Sequence, residues 1–539
     1  MSKSIKILLI SLCIIGILVS LGLAEAAERP LRTTWAWPTY IDPAVGSDFS
    51  SSVALVNLYD TLFYPDIKGD PQPHVAESWE VSADGLVCTV HLRQGIKFHD
   101  GTELTAEDVK FSMDRLTTIG EGYAYLFAGR VITETPDRYT VVFHLKEPFG
   151  PFLITLFRLY IVNKDLVMTN VKKPGPYGDM GDYGKQYLLT HDAGSGPYIL
   201  KEFSLEEHLL MVKNPNYWQP IDSYAPDEFK MIGTTEPVTV RTLISRRELE
   251  ITDQWQSLEA LTALDKIEGV DIAGYFPGTE FYYMMHTKKP PTDDIHFRKA
   301  MAWAMDYKIV VEKLFPGSIQ SRGPVPQTLP GADPRVFQYH RDLDKAILEL
   351  KQSKYYAQLD KYPVTVHWCA EVPDEEKVAL LFMSNMADIG IDVKVVKVPW
   401  MSMIEEMATM ETSPNIVTIF DSAHYPEAGS LLESRYMSES AATWEQNEWL
   451  LDTELDAMIS DSIKTIDREE RFAKYVEIQR YITELCPTLF LFDQVEKHAY
   501  QATYVDWPAA RGEVIPVMGY NFAGRFIKIY PDKRAELLK

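Results

Sequence analysis

The sequence predicts an α/β protein of two or three domains, and three observations carry the prediction. At 539 residues the chain is too long for one ordinary domain and long enough for ample core. Residues 363–398 read as a βαβ unit. Val364, Val366 and Trp368 alternate as a strand, Val378, Leu381, Phe382, Met386 and Ile389 fall at helical spacing, Gly390 stops the helix, and residues 391–398 form a second strand. Strands joined in this way run parallel with a right-handed crossover. Residues 75–116 read as hairpin, tight turn and helix. Leu86, Cys88, Val90 and Leu92 alternate with Val87, Thr89, His91 and Arg93, Asp84-Gly85 and Asp100-Gly101 turn the chain, and Thr105 with Asp108 caps a helix whose inner face is Val109, Met113 and Leu116.

Taken in order, the chain opens with Lys3 and Lys6 ahead of an apolar run over 7–23, then small residues at Ala24 and Ala26. This is the pattern of a signal peptide over 1–26, with Ala27 as the first mature residue. An uncleaved anchor is the alternative, since ~18 apolar residues begin to suffice for a span. Cys13 follows Leu12 rather than a small residue, so lipid attachment there is not expected. A strand over 31–37 and a helix over 51–61 come next. A second hairpin places Tyr139, Val141, Phe143 and Leu145 on one face, and the Gly/Pro-rich stretch 172–184 is a loop. Residues 249–252 read as a short strand running into Asp253-Gln254-Trp255 and a helix over 257–266. A strand over 416–420 breaks into DSAHYPEAGS. Open α/β sheets place ligands beyond the carboxyl ends of their strands, which nominates Asp253, Trp255, Phe420, Asp421, His424 and Tyr425. Trp35, Trp37 and Tyr40, in and after the first strand, add candidate aromatic faces, with core packing the competing role for each tryptophan. A long helix over 468–484 ends before Cys486-Pro487, and residues 512–520, GEVIPVMGY, read as a last hydrophobic strand.

The formal charge of -24 argues against nucleic acid or an anionic membrane as partner, because both select basic patches. Beyond the signal segment Cys88, Cys369 and Cys486 stand far apart, so neither a disulfide framework nor a metal-ligand spacing is present, and no cofactor is expected. The chain has no GxSxG, HExxH, GxxxxGK[ST] or GxGxxG, which leaves nucleophilic hydrolysis, zinc-peptidase chemistry and phosphate cradling unsupported. A secreted glycosidase using two distant carboxylates needs no local motif and stays as an alternative from another class.

Several segments fall in the order characteristic of one family: LYDTLF (58–63), AESW (76–79), HLRQGIKFHDG (91–101), TAEDVKFS (105–112), ETPDRYTVVFHLKEPFGPFL (134–153), GSGPYIL (194–200), KNPNYW (213–218), TKKPPTDDIHFRKAMAWAMD (287–306) and ADIGIDVKV (387–395). The sequence resembles the peptide/nickel class of extracellular solute-binding proteins, the receptors of ABC importers. The resemblance implies a two-lobed fold of the type II periplasmic-binding-protein kind with an additional α+β lobe. Lobe I would comprise 27–65, 191–285 and 498–539, the extra lobe II 66–190, and lobe III 286–497. It implies an exported, monomeric, non-enzymatic receptor, periplasmic or at the cell surface, that closes on a solute and delivers it to membrane permease subunits. One departure bears on the solute. Peptide-binding members usually carry an aspartate before the Tyr-Pro, to pair with the peptide ammonium, and this sequence has His424 there. A peptide is the first expectation and an oligosaccharide or other non-peptide solute the second; Asp421 is the residue that could replace the missing carboxylate.

Overall fold

A computed structural model describes residues 29–35, 40–205 and 207–539. The expected signal segment 1–26 and Trp37 lie outside the described residues. Three sheets organise the rest. In the first, Pro30–Trp35 runs parallel to Glu228–Gly233, and His208–Lys213 and Tyr198–Ser204 continue it antiparallel. On the other side of Pro30–Trp35, Ile251 pairs with Thr33 and with Tyr500, linking this sheet to the antiparallel pair Glu496–Tyr500 and Asp271–Tyr275. The short strand expected over 249–252 is therefore reduced to single bridges at Ile251. The segment is pinned by a side chain instead of a ladder: the fully buried Glu250 carboxylate accepts from the Arg32 amide at 2.9 Å, from Arg32 Nε at 2.8 Å and from the Tyr504 hydroxyl at 3.0 Å.

The second sheet runs in the order Ile319–Gln320, Thr488–Asp493, Thr279–Met285, Ile416–Ser422, Val364–Cys369, Val393–Val398. Val364–Cys369 is parallel to both Val393–Val398 and Ile416–Ser422, as the βαβ reading requires, whereas Thr279–Met285 is antiparallel to its two neighbours. Every residue of Thr279–Met285 and Thr488–Asp493 is buried, because helices cover both faces. Phe281, Tyr283 and Met285 pack with Phe297, Met301, Phe382 and Met386 on one side. Tyr282 and Met284 pack with Leu431, Leu432, Ile459 and Ile478 on the other.

The third sheet is the antiparallel set Ala76–Val81, Val87–Leu92, Thr140–Leu145, Val131–Asp137. Its alternation is the expected one: Cys88, Val90 and Leu92, and Val141, Phe143 and Leu145, are buried. The helix Ala106–Ile119 starts where the cap reading put it, with the Asp108 carboxylate accepting from the Thr105 amide at 2.9 Å. Arg115 of this helix fastens the unit to the first sheet's opening segment, donating two bonds of 2.6 Å to the buried Asp42 carboxylate.

The first and second sheets are joined by two short crossings, Tyr275 to Thr279 and Asp493 to Glu496, which lie side by side and share the bond from the Gln494 amide to the Thr279 carbonyl at 2.8 Å. Gly278 in the first crossing has φ +89°, a conformation that strains any side chain with a Cβ. One expected strand fails: residues 512–520 are turns and irregular backbone, and Glu496–Tyr500 is the strand that returns the chain to the first sheet. The reason is local. The Asn521 side chain accepts from the Ile515 amide at 2.8 Å and donates to the Ile515 carbonyl at 3.2 Å, so these groups need no strand partner, and Pro516 has no amide to offer one.

Candidate ligand-binding cleft

Between the first and second sheets lies a cleft of about 1150 Å³, counted out to its open mouth. Its floor is the pair of crossings, represented by Thr279, Gln494 and Glu496. One wall comes from the loop and helix start at Ser47–Ser50 and from Gln254 and Trp255, and the other from the ends of Val364–Cys369 and Ile416–Ser422 with Trp400 and Trp444. Trp255 meets Phe420 across it, centroids 5.8 Å apart and planes at 62°. Beyond this pair a second, smaller chamber of about 60 Å³ continues past Leu314, Phe315 and Lys497. Glu259, on the helix after Trp255, reaches Lys377 of the facing helix at 3.5 Å. Trp400 and Trp444, missed in the sequence, stand edge to face at 5.7 Å; they enter from a helix start and a loop with no periodic signal.

Four nominated residues line this cleft: Trp255, Phe420, Asp421 and His424. The others do not. Asp253 is fully buried and works as a loop brace. Its carboxylate accepts from the Thr34 hydroxyl at 2.7 Å, the Trp255 amide at 2.8 Å and the Gln256 side chain at 3.0 Å, and burial pushes its carboxyl above the ordinary range. Trp35 points inward, stacked on Phe49 at 5.3 Å with its Nε1 donating to the Thr33 hydroxyl at 2.7 Å. Tyr40 is exposed beside a separate surface hollow formed with Glu121 and Lys185. Tyr425 is fully buried against Phe149, because the loop after the strand turns it away from the cleft.

The cleft is acidic. Asp48, Glu371, Glu375, Asp421 and Glu496 line it, and among its described lining residues there is no lysine or arginine. Asp48 also caps the helix Phe49–Leu58 through the Ser51 amide at 2.9 Å. Glu371 accepts from the Trp400 amide at 3.0 Å. Glu375 accepts from the Cys369 amide at 2.8 Å and the Thr418 hydroxyl at 2.6 Å, and burial, with Glu371 adding to it, raises its carboxyl to about 8. Beneath the floor the buried Arg435 guanidinium holds Asp421 at 2.8 Å and Glu280 at 2.7 Å and lies 4.1 Å from the Tyr282 ring centre. Burial pushes the Glu280 carboxyl up while Arg435 pulls the other way.

His424 is nearly buried, and desolvation lowers its imidazole to about 4, so it is neutral at pH 7. Its Nδ1 faces the Tyr125 hydroxyl, and its carbonyl accepts from Arg158 Nε at 2.7 Å; both partners belong to the segment around the third sheet. Asp421, His424 and Glu445 bring one ligand atom each within 4.8 Å of one another, the group among the described residues whose spacing would take a metal ion. Two of its members are already engaged, His424 by Tyr125 and Asp421 by Arg435. Burial, reinforced by Asp421, raises the Glu445 carboxyl to about 8. Cys88, Cys369 and Cys486 are buried free thiols, and burial raises Cys88 to about 12.

The family described as bacterial extracellular solute-binding proteins, family 5 Middle, matches residues 70–436. The chain is 27% identical over 467 residues to the probable D,D-dipeptide-binding periplasmic protein of Escherichia coli, covering 85% of this chain and 87% of that one. Among solved structures, a periplasmic binding protein from Helicobacter pylori in complex with the peptide STSA superposes with a TM-score of 0.79 at 22% identity, over 94% of this chain and 100% of that one. An oligopeptide-binding protein from Bacillus subtilis in complex with a nonapeptide gives a TM-score of 0.78 at 19% identity, over 94% and 100%.

Proposed function

Because the chain belongs to the bacterial extracellular solute-binding proteins of family 5, we propose that it is the exported substrate receptor of an ABC importer, binding a peptide between its lobes and handing it to the permease subunits. The observation that carries this reading is the cleft itself: two sheets joined by two short crossings, with Trp255 and Phe420 presented to each other from opposite sides. A joint of this kind lets a few residues absorb a closing motion. The peptide class is supported by the dipeptide- and peptide-binding relatives, and lobe boundaries at 66 and 191 are part of the same reading, with the crossings Tyr275 to Thr279 and Asp493 to Glu496 replacing the boundaries expected at 286 and 498. So are the monomeric state and the absence of catalysis. No helix of the described residues is long and apolar enough to cross a membrane.

The test is a thermal-shift screen at neutral pH with di- to pentapeptides, their N-acetylated forms and a set of oligosaccharides. Stabilisation by free peptides that acetylation removes upholds the peptide reading. A response to sugars alone moves the assignment to an oligosaccharide receptor, a solute the aromatic faces of Trp255, Trp400 and Trp444 would also suit. Small-angle scattering with a stabilising ligand should show a smaller radius, and an unchanged radius would count against closure.

A further inference from the structure

We infer, resting on the receptor reading, that the solute enters the main chamber as a net cation with no anionic end inside it. Two independent observations point there. The first is charge. The lining holds the carboxyl side chains of Asp48, Glu371, Asp421 and Glu496, besides Glu375, which burial keeps protonated at pH 7, and among the described residues no lysine or arginine. Two buried cations stand behind the lining, Arg435, which donates to Asp421 and Glu280, and Arg158, which donates to the His424 and Met518 carbonyls. Lys497 lines only the second chamber, beyond Trp255 and Phe420, and its ammonium already donates to the Pro316 carbonyl. A carboxylate brought into the main chamber would meet like charges and no donor of opposite sign, and an unpaired charge out of water is costly.

The second observation is the surplus of acceptors. Glu496 Oε2 and Gln494 Oε1 are buried atoms with no hydrogen-bond partner among the described residues, on side chains that line the chamber. Their residues are 2% and 7% exposed. His498 Nε2 stands 3.6 Å from Glu496 Oε2, outside hydrogen-bond range, and the Tyr275 hydroxyl is the other polar group that bears on this carboxylate. Glu445 Oε1, next to Asp421 and His424, likewise has no partner among the described residues. Buried acceptors left unmade are expensive, and a ligand rich in N–H donors satisfies them. The apolar body of such a solute fits between Trp255, Phe420, Trp400 and Trp444, where an ammonium or guanidinium also gains from ring faces.

One scaffold in four charge states tests this by calorimetry on the whole protein: leucyl-leucinamide as the cation, leucyl-leucine as the zwitterion, N-acetyl-leucyl-leucine as the anion and N-acetyl-leucyl-leucinamide as the neutral form. The cation should bind at least about tenfold more tightly than the zwitterion, with the anion weakest. Zwitterion equal to or tighter than cation overturns the inference and leaves the peptide-receptor reading standing. So does anion or neutral form matching the cation. If none of the four binds, the solute released by denaturing the purified protein, identified by mass spectrometry, decides. A cation upholds the inference; an anion, a neutral molecule or no solute at all overturns it. Failure of the receptor reading has a different signature, a bound solute of any charge that leaves the scattering radius unchanged.

Discussion

Replacing Glu375 by glutamine should make the protein's stability less sensitive to pH, and by an amount that can be worked out. Glu375 is 2% exposed, and burial raises its carboxyl to about 8. In the unfolded chain it titrates near ~4.3. Between those values the native state holds a proton that the unfolded state does not, so unfolding releases it and stability falls as pH rises. The contribution is fully present below the unfolded pKa and is lost progressively as pH climbs through the folded one. The slope is ~1.4 kcal/mol per pH unit, so from pH 5 to pH 7 the wild type should lose ~2.7 kcal/mol through this one group. Glutamine keeps an acceptor for the Cys369 amide and the Thr418 hydroxyl but binds no proton in this range. Urea unfolding of both proteins at pH 5, 6 and 7 gives the difference directly, with every other titrating group cancelling. The variant should gain on the wild type by ~2–3 kcal/mol across the series. A difference independent of pH would mean that Glu375 is ionised in the native state and that burial does not govern its charge.

Three further outcomes follow from the contacts. Trp255→Ala should weaken ligand binding at least about tenfold with little loss of stability, since this half-buried ring faces Phe420 across the cleft; titration calorimetry with unchanged affinity would remove it from the site. Arg115→Ala strands the buried Asp42 carboxylate and should cost ~3–5 kcal/mol in chemical denaturation, and a loss below ~1 kcal/mol would show that the clamp contributes little. At Gly278 an added Cβ meets nothing closer than Leu329 at 3.7 Å, so Gly278→Ala isolates the backbone term of φ +89°: a loss of ~1–2 kcal/mol is expected, and none would mean that the crossing relaxes freely.

What the sequence disclosed depends on how each element is buried. The hairpins around Val90 and Val141 have one solvated face, so their alternation was readable, and the cap at Thr105 is a local pattern. Thr279–Met285 and Thr488–Asp493 carry the second sheet yet went unread, because strands covered on both faces have no period of two. The rule about carboxyl ends found Trp255, Phe420, Asp421 and His424 but could not tell which way each side chain turns. Asp253 was lost to Thr34, a residue 219 positions away, and Tyr425 to a turn that buries it. Trp35 went to the inward role that strand alternation left open for it. Trp400, Trp444 and Glu371 meet in the cleft only through tertiary placement, which no local spacing announces.

The first sheet draws its strands from both ends of the chain, and that fixes an order of events in time. Asp271–Tyr275 has Glu496–Tyr500 as its partner, and Ile251 completes its pairing only with Tyr500. A chain made from its N-terminus therefore carries this sheet with an unpaired edge until its last segment emerges, whereas the antiparallel set between Ala76 and Leu145 can close on itself long before. An open edge held for so long is a template for wrong pairing. The early chain must accordingly be kept apart from its neighbours, and the C-terminal strand sets the moment at which the first lobe becomes rigid.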